Sequence, residues 1–340
     1  MGTKTFTGMN NISFKNLTTF KTGGKIKYYF EVPTENDLIE KISFAKKNKH
    51  QIFIIGGGSD ILVSDDDFDG VVIKYIGNTI TEKDGIITAE AGLEWDNVVE
   101  FAVDKDLQGI ECLSAIPGTV GAAPIQNIGA YGQELKNTFI ELLAYDIEKE
   151  KLVTFLNKDC IFSYRDSIFK TPKYWQKFVI IRISLKLTPH GIPTVKYDSL
   201  KKYLSNNANH TLSEVREAVT KVRAEKLEDW VDMPNAGSYF KNPIIDLNKK
   251  SEIEKIYPDV KIYAFGENFK ISAGWMIEKV GWKGKSLGSV KVSEKHALIL
   301  TNPQGKGNSN DILKLAAAIR SDVNKQFGIS LEPEVQYIDF

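Results

Sequence analysis

Apolar positions in the first half of the chain switch repeatedly between a period of two and a helical period. Tyr28–Val32 alternates as a strand, and Thr34 with Asp37 then forms a capping-box pattern ahead of Leu38, Ile39, Ile42 and Ala45 at helical spacing. Gln51–Ile55 predicts a strand that runs straight into Gly56-Gly57-Gly58-Ser59. Val71–Tyr75, Ile86–Ala89, Phe139–Tyr145 and Val179–Leu187 predict further strands, and the apolar stripe of Trp95–Lys105 predicts a helix. Pro189, Gly191 and Pro193 then mark a boundary.

Beyond it, Thr211-Leu212-Ser213-Glu214 opens a helix with Val215, Val219 and Val222 on one face and Arg223 and Lys226 near its far end. A smaller α+β unit follows. The last helix, Asp311 to Phe327, sets Ile312, Leu315, Ala316, Ile319 and Val323 on one stripe and stops at Gly328. Glu334–Ile338 predicts a terminal strand joining the first sheet. The organisation expected is a region at 12–190 made of two α+β subdomains and completed by strand 331–340, a linker at 191–230, and an α+β domain at 231–328.

One stretch breaks this rhythm. Gly109 to Gly132 is too apolar for a solvated loop and too rich in Gly and Pro for a helix or a central strand. Its backbone polar groups must still find partners. The reading is a loop wrapped around a large, partly anionic ligand such as a dinucleotide. The glycine turn at Gly56–Ser59 can form an anion-binding nest. It is not the Rossmann fingerprint, because the third glycine falls on Ile61, and a plain tight turn explains it equally well on its own.

Composition narrows the partners. Lys+Arg and Asp+Glu both count 44 in 340 residues, which argues against a general nucleic-acid binder. Cys112 and Cys160 have no metal-ligand spacing, and the reading is a reduced, cytoplasmic setting without metal. No apolar run reaches the ~20 residues that span a bilayer, and the polar Met1–Asn11 reads as a loose start. Gly281-Trp282-Lys283-Gly284-Lys285-Ser286 ends like a phosphate loop, but its required first glycine is Lys279. None of His50, His190, His210 and His296 lies in the glycine-rich segments.

On the residues alone, Arg165 in Tyr164–Lys170 reads as a structural arginine pinned by Asp166. Ser238 in Asn235–Pro243 reads as a turn residue, without Ser/His/Asp spacing. Glu332 and Glu334 share a face of an extended segment, so alternation does not separate them.

Pro117–Gly132 closely resembles the flavin-binding signature of the UDP-N-acetylenolpyruvoylglucosamine reductases, bacterial cell-wall enzymes. Ile54–Val63, Tyr164–Lys170, Asn235–Pro243 and Leu331–Val335 match in the family's order, so the resemblance covers nearly the whole chain. It implies a two-subdomain FAD-binding fold of the vanillyl-alcohol-oxidase type plus a smaller α+β substrate-binding domain. It implies non-covalent FAD held by Gly56, Gly57, Gly58, Ser59, Asp60, Ser114, Pro117, Gly118, Thr119, Gly121, Ala122, Gln126, Asn127, Gly129, Ala130 and Tyr131. NADPH is the implied co-substrate.

The resemblance reassigns three residues. Arg165 becomes the grip on a substrate carboxylate, Ser238 the proton donor to a carbanion, and Glu334 the catalytic glutamate, with Glu332 as the fallback. Gln336 stands where many members have Arg. For the nucleotide sugar, the matching positions are Tyr164, Tyr197, Lys226, Asn242 and Tyr263, and more weakly Lys283 and His296. The Val195–Leu204 insert resembles the longer family variant, in which a tyrosine loop folds over substrate. The expected protein is a cytoplasmic monomer that reduces UDP-N-acetylglucosamine enolpyruvate. Two rivals stand beside it: an alcohol or sugar oxidase of the same fold, and a non-catalytic sensor of flavin or nucleotide sugar.

Overall fold

The computed structural model describes residues 12–204 and 209–339. The reading of Met1–Asn11 as a loose start, the 205–208 part of the expected linker, and Phe340 of the expected terminal strand lie outside the described residues. The described chain divides into two compact units, one made of residues 26–58 and 68–223 with Ile12, the other of 13–25, 59–67 and 224–339.

The first unit holds two sheets. Ile26–Val32, Phe68–Tyr75 and Ile52–Ile54 pair in parallel in that order. Such pairing needs a crossover, and the helix Glu35–Lys47 supplies it, opened by Thr34, whose hydroxyl accepts the Asp37 N–H at 3.2 Å. Leu38, Ile42 and Ala45 are its buried stripe, as their spacing predicts. The second sheet is antiparallel, in the order Lys151–Leu156, Phe139–Asp146, Phe178–Lys186, Ile86–Glu90, Ile80–Lys83. The helix Trp95–Asp104 buries Trp95, Val98, Val99 and Ala102 in the same core.

The second unit has a four-stranded antiparallel sheet, Asn235–Ser238, Ile299–Thr301, Val290–Val292, Ser286–Leu287, and a three-stranded one, Ile244–Ile245, Asn268–Ile271, Ile262–Phe265. Its long helix, Ser309–Phe327, buries the predicted Ile312, Leu315, Ala316, Ile319 and Val323. Gly328 closes that helix at φ 64°, its N–H donated to the Asn324 carbonyl at 2.8 Å.

Two expectations change. The terminal strand does not join the first sheet: Gln336–Ile338 pairs in parallel with Ile61–Val63. It also starts later than predicted, because the Glu334 N–H is donated to the Tyr239 carbonyl at 2.8 Å before the ladder begins. The domain limits also run differently, for a packing reason. Leu62, Leu331 and Val335 are buried in the second unit's core. Leu200, Val215, Val219 and Val222, expected in a linker, are buried with Cys112 in the first unit.

Candidate functional site

In the first unit the two glycine-rich segments lie against each other. A Cβ on Gly57 would stand 2.9 Å from Gly118 Cα, and one on Gly56 would stand 2.7 Å from Thr119 Oγ1. Approach this close tolerates no side chain. Gly58 and Gly118 sit at φ 67° and 120°. The apolar loop's backbone is tied to the segment before the Trp95 helix: Gly118 O accepts the Trp95 N–H, while Val120 and Gly121 donate to Leu93 O and Ala91 O, at 2.9–3.0 Å. A Cβ on Gly121 would meet Ala91 Cβ at 2.7 Å. The buried Trp95 indole donates to Leu113 O at 3.0 Å, fixing the loop's entry.

Those bonds answer where the loop's polar groups go. Gln126 departs from this pattern: its Oε1 is buried without a hydrogen-bond partner among the described residues. An orphaned buried acceptor in the loop that forms one wall of this side-chain-free cradle fits a polar ligand that completes the site. Ala122 lines the cradle, its Cβ 3.4 Å from where a Gly56 Cβ would be. Two expected cofactor contacts are spent elsewhere. Asn127 gives its amide to Glu134 Oε2 and Ser163 O and accepts the Lys136 N–H, so its side chain braces three segments. Ser114, fully buried, donates its hydroxyl to Glu111 O at 2.6 Å. Toward a cofactor each side chain keeps only acceptor capacity, beside its backbone.

Ala115, Asn127, Tyr131 and Arg165 all adopt left-handed φ between 46° and 56°. Each such residue costs roughly 1–3 kcal/mol, and such strain clusters at functional sites. Ala115 is held from both sides: its N–H is donated to Asp96 Oδ1 at 2.6 Å and its carbonyl accepts Arg223 Nε at 3.1 Å. Asp96 also receives both Arg216 nitrogens at 2.7 and 2.9 Å. Burial pushes the Asp96 carboxyl up, but these bonds outweigh it and hold it below its ordinary value.

Arg165 lies with its guanidinium carbon 5.7 Å from the Tyr164 ring centroid. Its Nη1 would be 3.2 Å from a Cβ on Gly129, so that glycine leaves it room. Asp166, the expected structural partner, accepts the Ser167 N–H with Oδ1 at 2.9 Å. A second guanidinium, Arg223, stands within electrostatic reach. Burial lowers its pKa from the ordinary value and Arg165 pushes the same way, while the Tyr131 phenol opposes them. The two guanidinium groups make this part of the first unit positively charged. Arg223 is absent from the residues the motifs picked out. Its one sequence signal is the seven-residue interval from Arg216, which places both on one helix face. Tyr131 meets the Tyr197 ring edge-on, centroids 6.0 Å apart.

In the second unit, Ser238 and Glu334 lie on neighbouring segments. Ser238 pairs with Ile299 on one side, and on the other Phe240 bridges Pro333 and Tyr239 O takes the Glu334 N–H. The register shifts between Asn235 and Ser238, with Gly237 at φ 74° and its N–H donated to Asn235 Oδ1 at 2.8 Å. Such a bulge re-aims the following side chain. The Ser238 hydroxyl is half-buried and has no hydrogen-bond partner among the described residues. Glu332, the fallback, is exposed and paired with Lys241 Nζ at 2.7 Å. Asp60, at φ 59°, gives its carbonyl to the Gln336 N–H, so the Ser59-Asp60 end of the glycine turn is seated by the terminal strand.

The same unit gathers three of the expected substrate residues. His296 is pushed below its ordinary 6.5 by burial, then by the charges of Lys226 and Lys283, with Glu278 opposing. Its Nδ1 accepts the Leu298 N–H at 3.3 Å, which fixes the neutral tautomer with hydrogen on Nε2. Lys283 Nζ is 3.4 Å from Glu278. Asn242 Oδ1 accepts the Ala273 N–H at 2.9 Å, tying it to the start of the helix Ala273–Lys279. Tyr263 stands half-exposed on the strand Ile262–Phe265. Among the described residues no cluster of His, Cys, Asp and Glu has the arrangement of a metal site.

Comparison with known proteins gives these sites a context. Residues 26–155 match the FAD binding domain family, and residues 225–338 match the C-terminal domain of UDP-N-acetylenolpyruvoylglucosamine reductase. The reductase of that name from Flavobacterium johnsoniae is 38% identical over 97% of this chain and 99% of its own. The Bdellovibrio bacteriovorus protein is 39% identical over 96% of this chain and 98% of its own. The crystal structure of the Thermus caldophilus reductase shares the fold, with a TM-score of 0.67 at 22% identity over 97% of this chain and 98% of that one. The chain therefore belongs to the UDP-N-acetylenolpyruvoylglucosamine reductase family, as an FAD-binding oxidoreductase of peptidoglycan precursor synthesis.

Proposed function

We propose that this protein reduces UDP-N-acetylglucosamine enolpyruvate to UDP-N-acetylmuramate in the cytoplasm, drawing electrons from NADPH through a non-covalently held FAD. Burial pushes both cysteine thiols up to about 12, which disfavours the reactive thiolate. The same fact argues against Cys112 as a covalent flavin anchor. Among the described residues no helix is long and apolar enough to cross a membrane.

The cradle around Gly56, Gly57 and Gly118, with the orphaned Gln126 acceptor, fits the pyrophosphate and polar groups of FAD. Held there and reduced, FAD would supply the hydride equivalent that the enolpyruvyl double bond takes up at its methylene carbon. Negative charge then develops on the neighbouring carbon and its carboxylate. Arg165 grips that carboxylate through a planar fork of donors. Glu334 shares a proton with it, and the two stabilise the enolate, the kind of preorganised electrostatics that dominates many catalytic barriers. Ser238 delivers its hydroxyl proton to the carbon, which completes addition of two hydrogens across the double bond. Tyr164, Tyr197, Lys226, Asn242 and Tyr263, with Lys283 and His296 at the margin, bind the nucleotide sugar.

The observation that carries this reading is the placement of Ser238, with an uncommitted hydroxyl, beside the Pro333-Glu334 segment. Rapid-reaction kinetics test it. Ser238→Ala is expected to leave flavin reduction by NADPH intact and to slow re-oxidation by the enolpyruvyl substrate by ~100- to 10,000-fold. Near-wild-type re-oxidation would remove Ser238 from the mechanism.

A further inference from the structure

The segment that carries Tyr197 is fastened at one residue, Thr194, by nearly every polar group that residue has. The Thr194 N–H is donated to Glu111 Oε1 at 2.8 Å. Its carbonyl accepts the Cys112 thiol at 3.2 Å. Its hydroxyl oxygen accepts Gln133 Nε2 at 3.2 Å and, more weakly, Gln108 Nε2 at 3.4 Å. The partners are themselves fixed. Glu111 is fully buried and its other oxygen holds the Gly109 N–H at 2.9 Å, while Gln133 Oε1 accepts the Cys112 N–H at 2.8 Å. Because burial keeps Cys112 protonated, its sulfur remains a donor.

Only Val195 and Lys196 separate Thr194 from Tyr197, a reach of at most ~11 Å. Just beyond Tyr197, Leu200 is fully buried among Val215, Val219 and Val222. The tyrosine is thus strung between a polar anchor and an apolar one, with its own side chain half-exposed against Tyr131. Gly132 clears the path: a Cβ there would lie 3.2 Å from Lys196 Cδ and 3.5 Å from Tyr197 Cε2.

We propose that Thr194 is a positioning residue, and that its clamp to Glu111, Gln133 and Cys112 sets where Tyr197 meets the nucleotide-sugar substrate. The proposal rests on the reading above that Tyr197 contacts that substrate. Losing the hydroxyl leaves a buried glutamine donor unsatisfied and loosens the anchor, a cost that reads as weaker substrate binding rather than slower chemistry.

The test uses FAD-loaded, full-length protein and four variants: Thr194→Val, which keeps the shape, Thr194→Ser, which keeps the hydroxyl, Glu111→Gln, and Tyr197→Ala as reference. Binding of UDP-N-acetylglucosamine enolpyruvate is read by titration calorimetry, KM and kcat by turnover, and fold integrity by the thermal midpoint and the flavin-reduction rate at saturating NADPH. Thr194→Val and Glu111→Gln are expected to raise Kd and KM about tenfold, with kcat and flavin reduction held within about twofold. Thr194→Ser is expected to restore wild-type binding. If Tyr197→Ala weakens binding while Thr194→Val and Glu111→Gln do not, the clamp is overturned and the role of Tyr197 stands. If Tyr197→Ala binds normally, the underlying reading of Tyr197 fails and the clamp has nothing to position. Joint loss of binding, flavin reduction and thermal stability in Thr194→Val, without rescue by Thr194→Ser, would make Thr194 merely structural and also overturn the proposal.

Discussion

In the first unit, the segments around Gly57 and Gly118 present bare backbone, crowded enough that a single methyl group at Gly57 would stand 2.9 Å from the facing chain. In the second, Ser238, Glu334, Lys226 and His296 present side chains from ordinary strands, turns and a helix end, and the glycine beside them is uncrowded. A Cβ on Gly237 would meet no atom within 4 Å, so only its φ of 74° demands glycine there. The cradle suits a large invariant group gripped by amides, whereas the second set suits a reacting group that needs particular functional atoms. The strained residues of the cradle mark the cost of shaping backbone itself.

This contrast can be broken by substitution. After Ser238→Ala, the largest effect is expected from Arg165→Lys, because an ammonium cannot reproduce a bidentate fork; turnover should fall roughly 100-fold with FAD retained. Full activity in a steady-state assay would show the arginine to be structural. Next, Gly57→Ala should weaken FAD about tenfold, since backbone must move to admit the methyl group, and repurified protein should lose flavin absorbance. Undiminished flavin content would remove the crowding argument. Gly237→Ala should instead cost only ~1–2 kcal/mol of stability through its φ, and leave the flavin in place. A denaturant melt with unchanged midpoint would contradict that assignment.

The smallest effect is a pH dependence. His296 titrates below its ordinary 6.5 in the folded chain, so between that lower value and 6.5 the unfolded chain binds more protons. Stability is therefore full above 6.5 and is lost as pH falls through this window. His296→Gln should flatten the acid-side decline of the thermal midpoint, and an unchanged slope would mean His296 is not the group responsible.

The same contrast explains what the sequence makes legible. A cradle of backbone needs Gly and Pro in unusual density, so composition alone exposes Gly109–Gly132. Composition does not say which named residues use side chains: Asn127 and Ser114 sit inside the motif yet spend theirs on internal bonds. The helices with an apolar stripe, Glu35–Lys47 and Ser309–Phe327, are readable because periodicity and caps agree. The three-residue pairing of Gln336–Ile338 with Ile61–Val63 carries no local signal, being fixed by the burial of Leu62 and Val335. Nor does the segment Leu331–Val335 announce which glutamate matters. The two differ in the fold: Glu332 reaches Lys241, while Glu334 follows the Pro333 bridge to Phe240. Arg223 is hidden for a related reason, since its neighbourhood with Arg165 is made by tertiary packing.

The most direct test of the central claim is an anaerobic spectral titration of the purified protein. The account predicts a yellow preparation whose flavin band bleaches on addition of NADPH and returns on addition of UDP-N-acetylglucosamine enolpyruvate, with UDP-N-acetylmuramate recovered in equal amount. A colourless protein that takes up no FAD on reconstitution, or a bleached flavin that the enolpyruvyl compound fails to re-oxidise, would contradict it.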